Sequence, residues 1–167
     1  AVPLMRAIMG EAGEAGGAER MLEAALLFEI DPLVHVANQL GIGIDVALAR
    51  GAAWLGLAFF DTIPAGNDLE MPMRLERLSE IQMVRVRTLD RDVAYMAPDF
   101  FGLLRLAEMC AGNVQMQRRI CVVPMAAMRA YLARAASPFL VDFARQADEL
   151  RGTEVHTLHQ GALRREL

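Results

Sequence analysis

Hydrophobic and polar positions recur with two different periods along the chain, and the change falls before its middle. Up to about residue 63, apolar residues recur at the three- and four-residue spacing of amphipathic helices. From about residue 69, short β-branched runs alternate with helical stretches. The pattern predicts a mixed α/β fold of the α+β class. An N-terminal helical subdomain precedes a small three-stranded sheet with helices, in the order β-β-α-β-α, and a trailing helix follows.

The first predicted helix follows a segment rich in Gly, Ala and Glu. Up to about Gly17 this composition favours a flexible N-terminal lead. The helix begins at Ala18 and ends before Asp31-Pro32, because the residue before a proline avoids the helical region. Its apolar stripe consists of Met21, Leu22, Ala25, Leu26 and Phe28.

Two further short helices carry recognisable start and stop signals. Asp31 is typical of an N-cap, with Pro32 at the first helical position and Gly41 as the stop. In the same way we expect Asp45 to cap a third helix that stops at Gly56. Brief connections between these helices predict a compact helical subdomain over residues 1–63.

A polar loop from Pro64 to Asp68 is the best candidate for a subdomain boundary. Beyond it, Val84 and Val86 alternate with arginines, as in a half-buried strand. The predicted strands are Gln82–Arg87, Asp92–Met96 and Ile120–Val123. The predicted helices are Arg74–Glu80, Phe100–Cys110 after an Asp99 cap, Pro124–Ala135, and a trailing helix that opens at Ser137-Pro138 and carries Phe139 and Phe143. The chain is thus divided into residues 1–63, 69–136 and 137–167, the last with a frayed tail.

Composition limits the classes of protein to which the chain can belong. Its longest uncharged stretch, Pro32–Ile44, is shorter than the roughly 20 residues of a membrane-spanning helix. No signal-peptide pattern is visible, and two distant cysteines indicate a reducing, cytoplasmic compartment. A net charge of −4 argues against nucleic-acid binding. The 11 methionines are typical of core filler or of an adaptable binding surface, and we favour core filler.

Candidate catalytic chemistry is sparse. All 17 basic residues are arginine, so a P-loop lysine, Schiff-base chemistry and a lysine base are excluded. Neither serine lies in a nucleophile-elbow motif. His156 and His159 have helical spacing, and Glu154 lies close to them. No cysteine or third histidine is nearby, so we expect no metal. The residues therefore predict no catalytic site, no cofactor and no enzymatic activity for this chain.

One cluster of arginines stands out, namely Arg74, Arg77, Arg85, Arg87 and Arg91. Guanidinium groups bind phosphates and carboxylates in bidentate fashion, so the cluster is a candidate interaction surface. Acidic residues interleave with it, and for that reason we favour a solvated, largely neutralised face. Phe139 and Phe143 on the trailing helix form a second candidate surface, where a connection to a downstream domain would leave.

The order of features from Leu55 to Ala135 resembles a known family. Trp54–Asp61 (WLGLAFFD) is similar to its "LGLPFVDL" segment, and the strands Ile81–Arg87 and Asp92–Met96 are similar to its hairpin. Ala97-Pro98-Asp99 resembles its turn before a helix, and Arg119–Pro124 its last strand. The family is the N-terminal domain of type II secretion and type IV pilus ATPases (the MshEN, or GspE N-terminal, domain). Arg118–Arg129 resembles most the members fused to bacterial membrane glycosyltransferases.

The resemblance implies a non-catalytic regulatory or docking domain of a larger bacterial protein, either a membrane glycosyltransferase or a secretion or pilus ATPase. The absence of an initial Met favours a piece excised from such a protein. The implied partner is the catalytic domain of the same polypeptide or a membrane-associated protein complex.

Two alternatives remain open. Some family members bind cyclic di-GMP through two "RLGxxL" motifs, for which Arg6, Arg20 and Arg50 are the candidate residues here. The motifs are degenerate, because Arg6-Ala7-Ile8 replaces Arg-Leu-Gly and Gln39 stands for the second arginine. A cyclic di-GMP sensor is therefore the first alternative. A small stand-alone enzyme is the second.

Overall fold

The structure is a computed structural model that describes residues 1–12, 16–65, 67–68, 81–88 and 91–137, together with residues 141 and 145. The chain divides into two compact units, Ala1–Tyr131 and Leu132–Leu167. The first unit contains both the helices and the sheet. The described residues of the second unit are helical. The mixed α+β class predicted from the sequence is confirmed.

The N-terminal segment is a helix, α1 (Val2–Met9), and the predicted flexible lead is wrong there. Leu4, Met5 and Ile8 are fully buried, and α1 packs against the three helices that follow. These apolar residues recur at helical spacing, and burying them offsets the entropy lost on ordering the segment. The prediction rested on the glycine content of the whole segment up to Gly17. Those glycines follow α1, so they carry no information about the helix before them.

The next three helices are α2 (Gly17–Leu27), α3 (Pro32–Leu40) and α4 (Ile44–Trp54). The predicted caps of α3 are confirmed, since the Asp31 carboxylate accepts from the Leu33 and Val34 amides and Gly41 is left-handed. For α4 the predicted cap, Asp45, lies two residues after the N-cap that the structure shows. Gly43 is the N-cap, and Asp45 lies in the first turn. There its negative charge interacts favourably with the helix dipole.

The end of α2 also differs from the predicted apolar stripe. Ala18 and Ala25 face the core, whereas Leu26 and Phe28 are exposed. Leu27 and Ile30 are exposed as well. The helix ends at Leu27, and Phe28 lies in the turn that leads to Asp31.

The described residues form a five-stranded mixed sheet in the order β1-β5-β4-β3-β2. The strands are β1 (Ala58–Phe59), β2 (Asn67–Asp68), β3 (Met83–Thr88), β4 (Arg91–Met96) and β5 (Ile120–Val122). The three predicted strands correspond to β3, β4 and β5. The two-residue strands β1 and β2 were not predicted, because runs this short carry no period. β4, β5 and β1 are parallel neighbours, and the other pairs are antiparallel.

Two helices connect β4 to β5: α5 (Phe100–Cys110) and the single turn α6 (Val114–Gln117). Asp99 caps α5 as predicted, and Asn113 caps α6. Residues 125–137 are helical, and the division between the two units falls among them. Ser137 is itself helical, so the predicted N-cap at this position is wrong.

One hydrophobic core joins α1, α3, α4, α5 and β5 within the first unit. The helices α4 and α5 approach closely at Gly51, where an added Cβ would lie 2.8 Å from Leu103 Cδ1. None of the described helices is by itself long and apolar enough to cross a membrane. Taken together, α3 and α4 reach that length and composition, but with a bend of 119° between them.

Candidate functional site: a methionine-lined groove

One face of the sheet carries methionine and arginine where β3 and β4 pair. Met83 lies opposite Met96, Arg85 opposite Ala94, and Arg87 opposite Asp92. Residues directly opposite each other in a ladder share a face of the sheet. The intervening Val84 and Val86 belong to the other face and are buried, as the alternation predicted.

Helices α5 and α6 stand beside this face and complete a depression of about 860 Å³. The buried side of α5 carries Leu103, Leu106 and Cys110, which leaves Met109 exposed at its last turn. The Asn113 side chain fixes the start of α6 by accepting from the Met116 amide at 3.0 Å. We call this depression the methionine groove; its defining residues are Met83, Arg85, Met96, Met109, Met116 and Arg119.

Two of the four methionines of the groove are exposed, and the other two are partly buried against the core. Met109 is 53% exposed and Met83 is 45% exposed, while Met5 and Met128 are fully buried. The interpretation of methionine as core filler therefore holds for Met5 and Met128, and in part for Met96 and Met116, but not for Met83 and Met109. Thioether side chains are flexible and polarizable, so they adapt to differently shaped apolar partners.

The electrostatics of the groove are set by arginines around one carboxylate. Arg87 Nε donates to Asp92 Oδ1 at 2.9 Å. This hydrogen bond lowers the pKa of the Asp92 carboxyl, and the charges of Arg87, Arg119 and Arg85 act in the same direction. Asp92 thus stays ionised at neutral pH and neutralises Arg87. Arg85 and Arg119 interact electrostatically with the same carboxylate, and both are exposed.

The structure describes only part of the predicted arginine surface. Arg85 and Arg87 lie on one face of β3, and the pairing of Arg87 with Asp92 bears out the expected neutralisation at that position. Arg74, Arg77, Phe139 and Phe143 lie outside the described residues. Arg119, Met109 and Met116 were not singled out in the sequence. Their one signal was the methionine content, and only the chain topology brings them beside β3.

The three candidate dinucleotide residues occupy different surroundings. Arg50 donates to the carbonyl oxygens of Ile8 at 3.0 Å and Met9 at 3.3 Å, where it closes the C-terminal end of α1. Arg6 lies 3.7 Å from Glu19 in an exposed ion pair. The structure thus gives Arg50 a structural role in the helical core.

Arg20 lines a second, smaller depression of about 430 Å³, between α2 and α3. The rings of Phe28 and His35 lie beside it, with centroids 6.4 Å apart. Gln39 completes the polar part of this lining. His35 itself is buried within α3.

The two cysteines are free thiols in apolar surroundings. Burial raises the pKa of Cys110 and of Cys121, so both are protonated and weakly nucleophilic at neutral pH. Within the described part of the chain, no three His, Cys, Asp or Glu side chains come together in a metal-binding group. Glu154, His156 and His159 lie outside that part.

A scan against protein-family models and searches of curated proteins and of solved structures give no match to this chain.

Proposed function

We propose that this chain is a non-catalytic docking and regulatory domain of a larger bacterial protein, and that a protein partner covers its methionine groove. The observation that carries the proposal is the pair of exposed methionines, Met83 and Met109, in an open depression edged by arginine. Contiguous exposed apolar surface with a polar rim marks interaction sites on folded domains.

The nature of the partner rests on the sequence resemblance. The motifs Trp54–Asp61 and Arg118–Arg129 both point to domains that accompany membrane glycosyltransferases or secretion and pilus ATPases. In the fold, these segments are neighbours, since β1 and β5 pair in parallel through Ala58 and Cys121. This adjacency supports their interpretation as parts of one structural unit. The partner is then the catalytic domain of the same polypeptide, or a membrane-associated complex that the domain meets in the cytoplasm.

Site-specific photocrosslinking in cells tests the docking role. A benzophenone amino acid replaces Met109 in the natural protein, and a matched protein carries it at Asp45, an exposed position of α4. We expect a discrete adduct from position 109 that is absent from position 45. The adduct should disappear when Met83→Glu places a charge in the same groove. No discrete adduct from position 109, or the same adducts from both positions, contradicts the proposal.

The non-catalytic part of the proposal has a separate test. We expect the purified chain to turn over neither ATP nor a nucleotide-sugar. Turnover that survives repurification and disappears with one point substitution would replace the docking domain with the stand-alone enzyme.

A second candidate function, a cyclic-dinucleotide sensor, is favoured by the depression at Arg20. A guanidinium group beside two rings offers both an anion contact and a stacking surface. The degenerate motifs lead us to expect a Kd for cyclic di-GMP weaker than about 100 μM. Low-micromolar binding in calorimetry, lost in Arg20→Ala, would establish the sensor. Arg50→Ala is a poor probe of binding, because Arg50 closes α1.

A further inference from the structure

The described residues that line the methionine groove carry a net positive charge, on a chain whose net charge is −4. Among the residues that the structure describes, three arginines, Arg85, Arg87 and Arg119, act electrostatically on one carboxylate of the groove, Asp92. Asp92 accepts hydrogen bonds from Arg87 and neutralises it. The guanidinium groups of Arg85 and Arg119 are exposed, so their charge remains available for a ligand. An occupant that is complementary to this surface carries negative charge.

The two available arginines lie on either side of an apolar strip. Arg85 faces Ala94 across the β3–β4 ladder. On the other side of β4, the Ala94 amide donates to the Arg119 carbonyl oxygen at 2.8 Å. Ala94 and its neighbour Met96 therefore form an apolar floor between two positive positions. A complementary ligand has an apolar stripe with acidic groups along both edges.

An amphipathic helix has this arrangement. Its apolar residues recur at three- and four-residue spacing along one stripe, and the adjoining positions lie on both flanks of that stripe. In an extended strand, consecutive side chains point to opposite faces, so acidic groups next to apolar ones in sequence would point away from the groove. The shape of the charge pattern thus favours a helix over a strand.

On the basis of the proposed docking function, we propose that the methionine groove binds an amphipathic helix of a partner protein whose apolar stripe is flanked by Asp or Glu. The methionine side chains accept various apolar residues along the stripe, as flexible thioether surfaces do. The arginines then supply the selectivity. Exchanges among Leu, Ile, Phe and Met in the stripe are tolerated, and removal of the flanking acids is not.

A peptide-display selection against the full chain tests this inference. The probe is a library of helix-forming peptides with random apolar and polar positions. Binders at the groove are defined as those that Met109→Glu abolishes. Their affinities are then measured for three proteins: wild type, Arg85→Glu/Arg119→Glu, and the control Arg20→Glu/Arg129→Glu, which has the same net charge but alters exposed arginines outside the groove.

We expect the groove binders to carry acidic flanks. Their Kd should weaken by about tenfold or more in Arg85→Glu/Arg119→Glu and change little in the control, since like-charge contacts oppose binding. Substituting Lys for the flanking acids should restore binding to the charge-reversed protein and abolish it for wild type. Raising the salt concentration from about 0.05 M to about 0.5 M should weaken the wild-type complex.

Three outcomes overturn the inference, and they are distinguishable. Groove binders with neutral or basic flanks, insensitive to charge reversal, overturn the acidic partner and leave the docking function in place. A selection that yields no binder sensitive to Met109→Glu overturns the acidic helix and the docking groove together. Enrichment of phosphate-bearing ligands over peptides in a parallel competition would likewise reject a helix as the occupant.

Discussion

The Asp31 carboxylate accepts hydrogen bonds from two helices that are far apart in sequence. Oδ1 accepts from the Leu33 amide at 2.9 Å and from the Val34 amide at 3.4 Å, which caps α3. Oδ2 accepts from the Phe100 amide at 3.1 Å, at the start of α5. One side chain therefore joins the N-terminal helices to the helix beside the methionine groove.

Two substitutions at Asp31 separate these roles. Asparagine caps a helix about as well as aspartate, but its amide group can offer only one oxygen, so either α3 or Phe100 loses its acceptor. Alanine removes both. An N-cap contributes about 1 kcal/mol, and a hydrogen bond to a charged group about 1.5–3 kcal/mol. We expect losses in unfolding free energy of about 2 kcal/mol for Asp31→Asn and about 3 kcal/mol for Asp31→Ala.

Urea unfolding followed by the fluorescence of the single tryptophan, Trp54, measures these losses in the first unit. Asp45→Asn is the matched control, because it removes the same charge from an exposed first-turn position. The control should lie within about 0.5 kcal/mol of wild type. An Asp31→Asn protein as stable as the control would refute the inferred link between α3 and α5.

Three further substitutions or labels test other parts of the fold. Gly51→Ala should destabilise the domain by about 1 kcal/mol in the same urea assay, because overpacking of the core costs more than the helix propensity of alanine gains. The control is Gly17→Ala, which has room for its Cβ and should be neutral or stabilising. Arg50→Ala should cost about 1–2 kcal/mol, because two carbonyl oxygens at the end of α1 lose their donor; an unchanged urea midpoint contradicts that role. Cys110 and Cys121 should react with iodoacetamide at least about tenfold more slowly than free cysteine until urea unfolds the chain, since raised pKa values reduce the thiolate fraction; rapid labelling of the native protein by mass spectrometry contradicts the burial.

Local signals in the sequence predicted much of the fold. Asp31 and Asp99 are caps, and the alternation at Val84 and Val86 is a strand, because these features depend on residues close in the chain. The helix α1 was missed because its four buried residues precede a glycine-rich segment that outweighed them. At Asp45 a strong local signal gave the wrong position. Aspartate is a typical N-cap residue, but the N-cap lies two residues earlier, at Gly43.

The candidate site was less predictable because it is non-local. Arg85 belonged to a visible cluster, but most of the other groove residues come from β4, α5, α6 and the residue before β5. Nothing local distinguishes Met109, which is exposed, from Met128, which is fully buried. The difference arises from tertiary packing, because Met109 lies on the side of α5 away from the core, whereas Met128 is buried in the helix over residues 125–137. The hydrogen bonds of Arg50 to the end of α1 were unpredictable for the same reason, since its acceptors lie 41 and 42 residues away.

The most direct test of a partner-covered groove is methionine footprinting in cells. Peroxide oxidises accessible thioethers to sulfoxides, and peptide mass spectrometry gives the rate at each position. The ratio of oxidation at Met109 and Met83 to that at Met125, which lies outside the groove, is compared between the natural protein in intact cells and the purified chain. We predict that the ratio falls by about tenfold or more in cells, because a partner excludes solvent from the groove. An equal ratio in both samples means that the groove is as open in the cell as in isolation, and it contradicts the docking function.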